Sequence, residues 1–245
     1  MTTAPHPPLT EYYPEESARR AWVRSIFDRT AGDYDRVERV VSAGSGAHYR
    51  RRALLRAGLI PGANVLDVGS GTGLVAKQAM DLVASNGTVT AVDPAIGMML
   101  AGALPEKIRP VGGSGEALPF ANAKFDFLSM GYALRHVSNV APVFAEFFRV
   151  LKPGGRLCIL EITRPQGRVA SALLKFYMRQ LVPTLARYVG RHVDTAELMR
   201  YYWDTIEACL PAEELMAMLR AAGFEQVRRH VEVGIFSEYQ ARRPG

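Results

Sequence analysis

The sequence predicts an α/β protein with a doubly wound, mostly parallel sheet of seven strands. From residue 64 onward, short runs rich in β-branched residues alternate with longer helical stretches, as in successive strand–helix–strand units. A glycine-rich loop follows the first of these runs, and two final runs meet at Gly234 as a hairpin. These three observations favour an open sheet with helices on both faces and an antiparallel end.

The seven predicted strands follow from the positions of these runs. They lie at 64–68, 88–92, 108–111, 125–130, 156–162, 226–233 and 235–240. Helices are predicted between them at about 74–84, 96–104, 140–150 and 211–223. The last has Pro211 at its start and Gly223 just past its end, as helices prefer. A tight Lys-Pro-Gly-Gly turn at 152–155 precedes the fifth strand.

Two helical segments lie outside this alternation. Residues 1–57 are predicted to form an N-terminal tail and helical cap, with a loose, proline-rich tail up to Pro14 and helix breaks at Gly32 and at 42–46. Residues 58–245 form the main domain. Inserted lid helices are predicted within it at about 166–205, and Pro183 interrupts their pattern.

Composition and charge exclude several classes of protein. Hydrophobic residues make up 48% and charged residues 22%, which is ordinary for a globular domain. No run reaches the roughly 18 apolar residues of a membrane span, and the first residues do not resemble a secretory signal. The two cysteines, Cys158 and Cys209, form neither a disulfide framework nor a metal cluster. We therefore expect a cytoplasmic protein without a metal ion.

The most informative segment is the loop after the first strand, which runs Asp-Val-Gly-Ser-Gly-Thr-Gly from Asp67 to Gly73. Glycines at the end of a strand let the chain turn sharply and let a ligand approach the main chain closely. Asp93 follows Gly73 by 20 residues, at the end of the second strand. There its carboxylate can accept hydrogen bonds from both hydroxyls of a ribose. The sequence therefore predicts a nucleoside-containing cofactor.

Asp67 distinguishes between two kinds of cofactor. The loop also fits the loose glycine pattern of dinucleotide-binding proteins. However, an acidic side chain two residues before the glycines would lie close to a pyrophosphate, where like charges repel. S-adenosylmethionine carries an ammonium and a sulfonium instead, and a nearby carboxylate favours both. The loop therefore predicts S-adenosylmethionine.

Further motifs support this prediction. They are Phe-Asp-Arg at 27–29 with Tyr-Asp at 34–35, Glu-Ala-Leu-Pro-Phe at 116–120, Phe-Asp at 125–126 with Leu-Arg-His-Val at 134–137, and Ala-Gly-Phe at 222–224. The most specific is Arg-Val-Leu-Lys-Pro-Gly-Gly-Arg-Leu at 149–157, continued by Leu-Glu-Ile-Thr at 160–163. From about residue 26 to 234 the chain thus resembles the class I S-adenosylmethionine methyltransferases, and more narrowly the ubiquinone/menaquinone biosynthesis C-methyltransferases.

This resemblance implies a seven-stranded Rossmann-like methyltransferase sheet and a small, apolar aromatic acceptor of the quinol or phenol type, methylated on carbon or oxygen. Thr72 and the glycine loop would hold the methionine part of the cofactor, and Asp93 the ribose. Ser114 and Gly115 would border the adenine, and Gly131 and Tyr132 would line the cofactor near its methyl group. The expected cofactor contacts are Asp67, Gly69, Ser70, Gly71, Thr72, Gly73, Asp93, Pro94, Ser114, Gly115, Gly131 and Tyr132.

The chain departs from the family pattern at several positions, most of them on the acceptor side. The family has Asp or Asn for Ser114, Asn for His136, Met-Asn for Val37 and Glu38, and His and Trp for Gly46 and Tyr49. The ending at 234–239 also lacks the histidine that is typical of the quinone enzymes.

Arg135 and His136 are the candidate catalytic residues. If the acceptor is a quinol or phenol, removal of its hydroxyl proton makes it nucleophilic, and a base with a pKa near neutral does this best. His136 could be that base, or it could only cap the loop after the fourth strand. Arg135 could stabilise the phenolate, or it could form a structural ion pair.

Two other functions remain open at this point. The formal net charge of +6 suggests a nucleic-acid methyltransferase, but the chain lacks the Pro-Pro-aromatic motif of such enzymes after the fourth strand, so no nucleic-acid partner is expected. The protein could also bind the cofactor without turnover. The apolar residues of the inserted helix could cover a lipophilic acceptor, contact a membrane surface transiently, or pack on the sheet or on a second subunit in a homodimer.

Overall fold

A computed structural model describes residues 3–190, 192 and 194–245 of the chain. In this part of the chain seven strands pair into one sheet, in the order β3-β2-β1-β4-β5-β7-β6. The strands are β1 (Asn64–Val68), β2 (Thr88–Asp93), β3 (Ile108–Gly112), β4 (Phe125–Gly131), β5 (Leu151–Ile162), β6 (Glu225–Glu232) and β7 (Phe236–Arg242). Strands β1 to β5 are parallel to their neighbours within that group, whereas β7 is antiparallel to both β5 and β6. The predicted fold class is confirmed.

Helices cover both faces of this sheet. They are α1 (Glu16–Val41), α2 (Gly46–Arg56), α3 (Leu74–Val83), α4 (Ile96–Ala101), α5 (Val140–Val150), α6 (Arg168–Phe176), α7 (Val182–Val189), α8 (Asp194–Ala208) and α9 (Ala212–Ala221). Alternate residues of β1 serve the two faces, as the period of a strand requires: Val65 packs with α2 and α3, and Leu66 packs with α5 and α9. A short 3₁₀ turn, Leu134–His136, follows β4.

A third hydrophobic cluster lies outside the two sheet faces. It joins α1 to α7 and α8 through Ile26, Val37, Val182, Leu198 and Trp203, among others. The inserted helices therefore pack on the N-terminal helix α1, while α2 packs on the sheet. This arrangement brings residues from the two ends of the chain to the cavity described below. Among the described helices, none combines the length and apolar character that crossing a membrane requires.

The N-terminal segment differs from its prediction as a loose tail. The carbonyl of Thr3 accepts a hydrogen bond from the Val140 amide, and the carbonyl of Pro5 accepts one from the Leu210 amide. The buried guanidinium of Arg19 donates to the His6 carbonyl at 2.8 Å. Prolines fix much of the backbone in this segment, which lowers the entropy that ordering it must overcome. These hydrogen bonds hold residues 3–14 against the rest of the protein, and this segment is called the strap.

Helix α1 also runs without a break through Gly32, where an interruption was predicted. One glycine disfavours a helix interior by only about 1 kcal/mol, and the packing of α1 on α7 and α8 outweighs this. The predicted interruption at Pro183 is present: a π-helical turn, Tyr177–Leu181, separates α6 from α7, and Pro183 lies in the first turn of α7.

Candidate active site

The glycine loop turns the chain from β1 into α3, as the sequence predicts. Gly69, Gly71 and Gly73 all have positive φ, at 65°, 56° and 81°. A Cβ atom on Gly69 would lie 2.4 Å from the Cβ of Ala133, and one on Gly73 would lie 2.1 Å from Leu104 Cδ2. Neither position can therefore accept a side chain, on grounds of both backbone conformation and space.

Asp93 ties the end of β2 to this loop. Its Oδ2 accepts a hydrogen bond from the Gly71 amide and its Oδ1 accepts one from the Ala95 amide, each at 2.7 Å. Burial raises the pKa of Asp93 to about 6, although both amide bonds favour the charged form. Each carboxylate oxygen keeps a further lone pair, so the group can still accept from the hydroxyls of a ribose.

Asp67 lies beneath the loop and not on the cavity surface. Its side chain is fully buried, and Ser129 Oγ donates to its Oδ1 at 2.7 Å. Its Oδ2 finds no hydrogen-bond partner in the described chain. Burial raises its pKa to about 6, so the group is largely ionised at neutral pH. It therefore adds negative potential under the loop, which favours a cationic ligand.

Glu116 lies next to Ser114, one of the two residues predicted to border the adenine. Ser114 Oγ donates to Glu116 Oε2 at 2.6 Å, and the Ser138 amide donates to Glu116 Oε1 at 2.7 Å. Arg20 of α1 pairs with the same Glu116 carboxylate. The Ser114 hydroxyl proton is engaged and its oxygen accepts from the Glu116 amide at 3.3 Å, so one lone pair is left to accept a hydrogen bond from an amino group.

The segment after β4 holds strain next to the cavity. Tyr132 has a φ of 60°, a conformation that an aromatic residue rarely adopts. Its amide donates to the Leu160 carbonyl at 2.7 Å, which holds the backbone in place. A Cβ on the preceding Gly131 would lie 2.6 Å from Val75 Cγ2. Such strain persists where the surroundings impose it, and it is concentrated at functional sites.

His136 lines the cavity in a stack of aromatic rings. Its ring is stacked on Tyr201 and Tyr202 and meets Phe27 edge-on. Its Nδ1 lies 3.3 Å from the Tyr201 hydroxyl, and its buried Nε2 has no partner within the described chain. Burial, and then the charge of Arg135, holds the pKa of His136 well below its usual value. The imidazole is thus neutral at physiological pH, and its unpartnered nitrogen can accept or donate a hydrogen bond according to the tautomer.

Arg135 lies behind the cavity wall and does not line the cavity. It is 2% exposed, its Nη1 pairs closely with Glu161, and its Nε donates to Thr205 Oγ1 at 3.1 Å. Its guanidinium also lies 5.1 Å from the ring centroid of Tyr202. The geometry matches the structural ion pair that the sequence left open, and it positions Tyr202 in the wall.

These groups surround one cavity of about 1120 Å³, a volume that includes the space at its open mouth. Its walls come from the ends of β1, β2 and β4 and from α1, α2 and α8. The predicted site residues that line it are Gly69, Ser70, Gly71, Thr72, Asp93, Pro94, Ser114, Gly115, Gly131, Tyr132 and His136. Asp67, Gly73 and Arg135 do not line it.

Of the wall residues that were not among the predicted site residues, three are aromatic and one is a buried arginine. They are Phe27, Tyr34, Arg50 and Tyr202. The first two lie within the Phe-Asp-Arg and Tyr-Asp motifs, which marked them without giving a role. Tyr202 belongs to the aromatic run 201–203 of α8, a signal that stands out only when α8 is known to reach the cavity. Asp35 also takes part indirectly, because it accepts a hydrogen bond from the hydroxyl of Thr72.

A cluster with metal-ligating side chains lies on the β6–β7 hairpin. Its members are His230, Glu232 and Glu238, and none of them lines the cavity. Arg56 pairs with both glutamates and Arg52 pairs with Glu232, so two arginines compensate the two carboxylates.

Comparisons with known proteins agree with this geometry. The model of the ubiE/COQ5 methyltransferase family matches residues 15–241. The chain belongs to the ubiE/COQ5 methyltransferase family. A demethylmenaquinone methyltransferase of Mycobacterium sp. (strain KMS) is 34% identical over 223 residues, which cover 91% of this chain and 94% of the relative. The corresponding protein of Mycobacterium tuberculosis (strain ATCC 25618 / H37Rv) is 33% identical over 226 residues, covering 91% of this chain and 93% of the relative.

Solved structures show the same fold at lower identity. An S-adenosylmethionine-dependent methyltransferase from Aquifex aeolicus aligns with a TM-score of 0.57 and 21% identity, over 79% of this chain and 88% of that one. The [4+2]-cyclase SpnF aligns with a TM-score of 0.66 and 16% identity, over 99% of both chains. The fold alone therefore does not fix the reaction.

As a member of this family, the protein is an S-adenosylmethionine-dependent methyltransferase, so the predicted cofactor and enzyme class are confirmed. The site fits this cofactor. Asp93 offers acceptors in the cavity and the buried Asp67 supplies negative charge beneath it, while Ser70 Oγ is a buried polar atom without a partner in the described structure. The roles of individual residues remain predictions.

Proposed function

We propose that this methyltransferase transfers a methyl group to a ring carbon of a reduced quinone of the demethylmenaquinone type. The observation that carries the proposal is the aromatic wall beside the glycine loop, formed by Phe27, Tyr34, Tyr132 and Tyr202. Such a wall suits a flat, apolar ring. The demethylmenaquinone methyltransferases among the relatives support the same class of acceptor.

The bound cofactor supplies a methyl group on a cationic sulfur, and the carbon–sulfur bond breaks as the acceptor carbon bonds to the methyl, leaving the electron pair on sulfur. The protein mainly holds the acceptor carbon about 3–3.5 Å from the methyl and excludes water. His136, neutral and in the wall, accepts a hydrogen bond from the ring hydroxyl and orients it, and the hydroxyl proton that must be lost to make the ring carbon nucleophilic leaves to solvent. The proton displaced from that carbon then leaves to solvent, which restores the aromatic ring.

The proposal is tested with purified protein, S-adenosylmethionine and a short-chain demethylmenaquinol kept reduced. We expect a product heavier by one methyl group, with the methyl on ring carbon by NMR. The oxidised quinone should be inert because it lacks the electron-rich carbon. His136→Asn gives the residue of the family pattern and keeps a hydrogen-bonding side chain, so it should change kcat less than about tenfold, with unchanged cofactor affinity. Methylation on oxygen, or on none of a panel of quinols, would contradict the proposal.

We further propose that the outer face of α6 brings the enzyme to the membrane surface that holds a lipophilic quinol. Each residue of this helix is at least partly exposed. Val169, Leu173 and Phe176 are 75%, 65% and 65% exposed, and their spacing sets them on one helix face. Exposed arginines lie close by in sequence, at Arg164 and Arg168. An apolar face with basic flanks is typical of helices that lie in an anionic membrane interface.

Vesicle sedimentation tests this contact. We expect the protein to sediment with phosphatidylglycerol vesicles more than with phosphatidylcholine vesicles, and the Leu173→Ser/Phe176→Ser variant to stay in solution. Leu100→Ser is the matched control, since Leu100 is 77% exposed on α4. If the double variant instead abolishes a dimer seen by analytical ultracentrifugation and vesicle binding is absent, a second copy covers this face.

A further inference from the structure

An ion pair between Arg50 and the half-buried Glu38 lies beside Tyr132 in the cavity wall. Arg50 of α2 is 5% exposed and lines the cavity, and its Nη2 donates to Glu38 Oε1 of α1 at 2.6 Å. Its guanidinium carbon lies 5.8 Å from the ring centroid of Tyr132. Its Nε is buried and has no hydrogen-bond partner in the part of the chain that the structure describes. A buried cation with a free donor is unfavourable unless a ligand accepts from it.

Gly46 leaves room for the Arg50–Glu38 pair. It is the first residue of α2, and its φ is not positive, so its backbone conformation does not call for glycine. A Cβ there would lie 2.3 Å from Glu38 Oε1 and 2.7 Å from Arg50 Nη1. The absence of a side chain at Gly46 therefore makes room for the pair.

Two other polar groups of the wall bond each other. The hydroxyl of Tyr202 donates to that of Tyr34 at 3.0 Å, which leaves the Tyr34 proton as a further donor in the wall. Glu38 balances the charge of Arg50, which leaves a neutral pair whose Nε–H has no acceptor in the described structure. Such a group suits a ring oxygen, either a hydroxyl or a singly charged phenolate, at the edge of an aromatic ligand.

We propose that Arg50 is the residue that recognises the acceptor, by donating from Nε to an oxygen on the acceptor ring, and that Glu38 and Gly46 hold it in position for this contact. The inference deepens the proposed function and rests on it for the aromatic class of the acceptor. It also predicts which acceptors the enzyme prefers. Rings with a free hydroxyl at the Arg50 contact should bind better than rings in which this hydroxyl is methylated, because an ether oxygen is bulkier and cannot become an anion.

The test separates recognition from turnover. α-Naphthol and its methyl ether are titrated into the protein saturated with S-adenosylhomocysteine, in wild type, Arg50→Met and Arg50→Lys. Wild type should bind the naphthol about 10-fold more tightly than the ether or better, as expected for a hydrogen bond to a charged group. Arg50→Met should bring the two affinities within about twofold of each other, since it keeps the stem and loses every donor. Arg50→Lys keeps the charge near Glu38 and should recover part of the preference.

Arg51→Met is the matched control. Arg51 is the exposed neighbour of Arg50, and its loss should change neither affinity. Gly46→Ala should weaken naphthol binding because the new methyl displaces the pair, while the affinity for S-adenosylmethionine changes by less than about threefold. If Arg50→Met does not fold, Arg50→Lys and Gly46→Ala still test whether Arg50 recognises the acceptor hydroxyl.

The outcomes distinguish the two proposals. A preference for naphthol that Arg50→Met removes, in an enzyme that methylates no quinol, supports Arg50 as the recognition residue and contradicts the proposed function. Methylation of quinols by an enzyme whose preference survives in Arg50→Met and Arg50→Lys overturns the inference and leaves the proposed function standing. The absence of any preference in wild type also overturns the inference.

Discussion

The two halves of the cavity are built in different ways. The cofactor half comes from the ends of β1, β2 and β4, where glycines and backbone amides shape the wall and Asp93 binds two of those amides. The proposed acceptor half comes from side chains of α1, α2 and α8. Helices α1 and α8 meet because the helical cluster packs together, whereas α2 is held by the sheet. A half built from local backbone geometry tolerates little change in sequence. A half built from side chains on packed helices can change its specificity while the fold stays the same.

The largest expected effect concerns Arg135, which lies behind the cavity wall and contacts Tyr202. Arg135→Met should lower the free energy of unfolding by about 3–5 kcal/mol, because it leaves the buried charge of Glu161 uncompensated. Urea denaturation measures this loss. The Arg135→Met/Glu161→Gln variant should recover much of it, since removing both charges together leaves no buried ion without its partner. A stable Arg135→Met protein that has lost acceptor turnover would show instead that Arg135 acts on the acceptor.

The next effect tests the cofactor half directly. Asp93→Ala should weaken S-adenosylmethionine binding at least about 100-fold, because it removes the predicted ribose contacts and frees the Gly71 and Ala95 amides. Isothermal titration calorimetry measures the change. Asp81→Ala, at an exposed position of α3, is the matched control. Near-normal affinity in Asp93→Ala would place the ribose elsewhere and remove the basis of the cofactor half.

Two buried carboxylates near the glycine loop, Asp67 and Asp93, should set the pH dependence of cofactor binding. Burial raises the pKa of both Asp67 and Asp93 to about 6, and the cationic cofactor favours their ionised forms. Protonation therefore opposes binding: affinity should be constant above about pH 7 and fall up to about tenfold per pH unit and per group below about pH 6. Titrations in two buffers of different ionisation enthalpy should show proton release near pH 6.

Asp126→Asn is the control for this profile. Its carboxylate pairs with Lys152, and its pKa lies below the usual value although burial alone would raise it, so the change should leave the profile unaltered. A cofactor affinity that does not vary between about pH 5 and pH 7 would mean that neither buried carboxylate titrates with binding.

The same division explains what the sequence could predict. The strands, the glycine loop and Asp93 are local patterns, and the structure has most of them close to where they were predicted. The exception is β5, which begins at Leu151, so that residues 152–155, predicted as a turn, form an irregular part of the strand. The continuous helix at Gly32, the ordered strap at 3–14 and the role of Tyr202 depend on packing between segments that are distant along the chain. Periodicity and motif spacing carry no information about such contacts. Arg50 and Gly46 could not be linked from the sequence either, because only the structure shows how close they lie.

The smallest expected effect lies where the halves touch. The Thr72 hydroxyl, in the glycine loop, donates to the Asp35 carboxylate of α1. Thr72→Val keeps the shape of the side chain and removes this bond, so it should lower stability by about 1 kcal/mol and weaken cofactor binding about fivefold. A double-mutant cycle with Asp35→Asn isolates the pair. If the two substitutions act additively on cofactor affinity, α1 does not hold the loop, and the cofactor half is complete without the helical cluster.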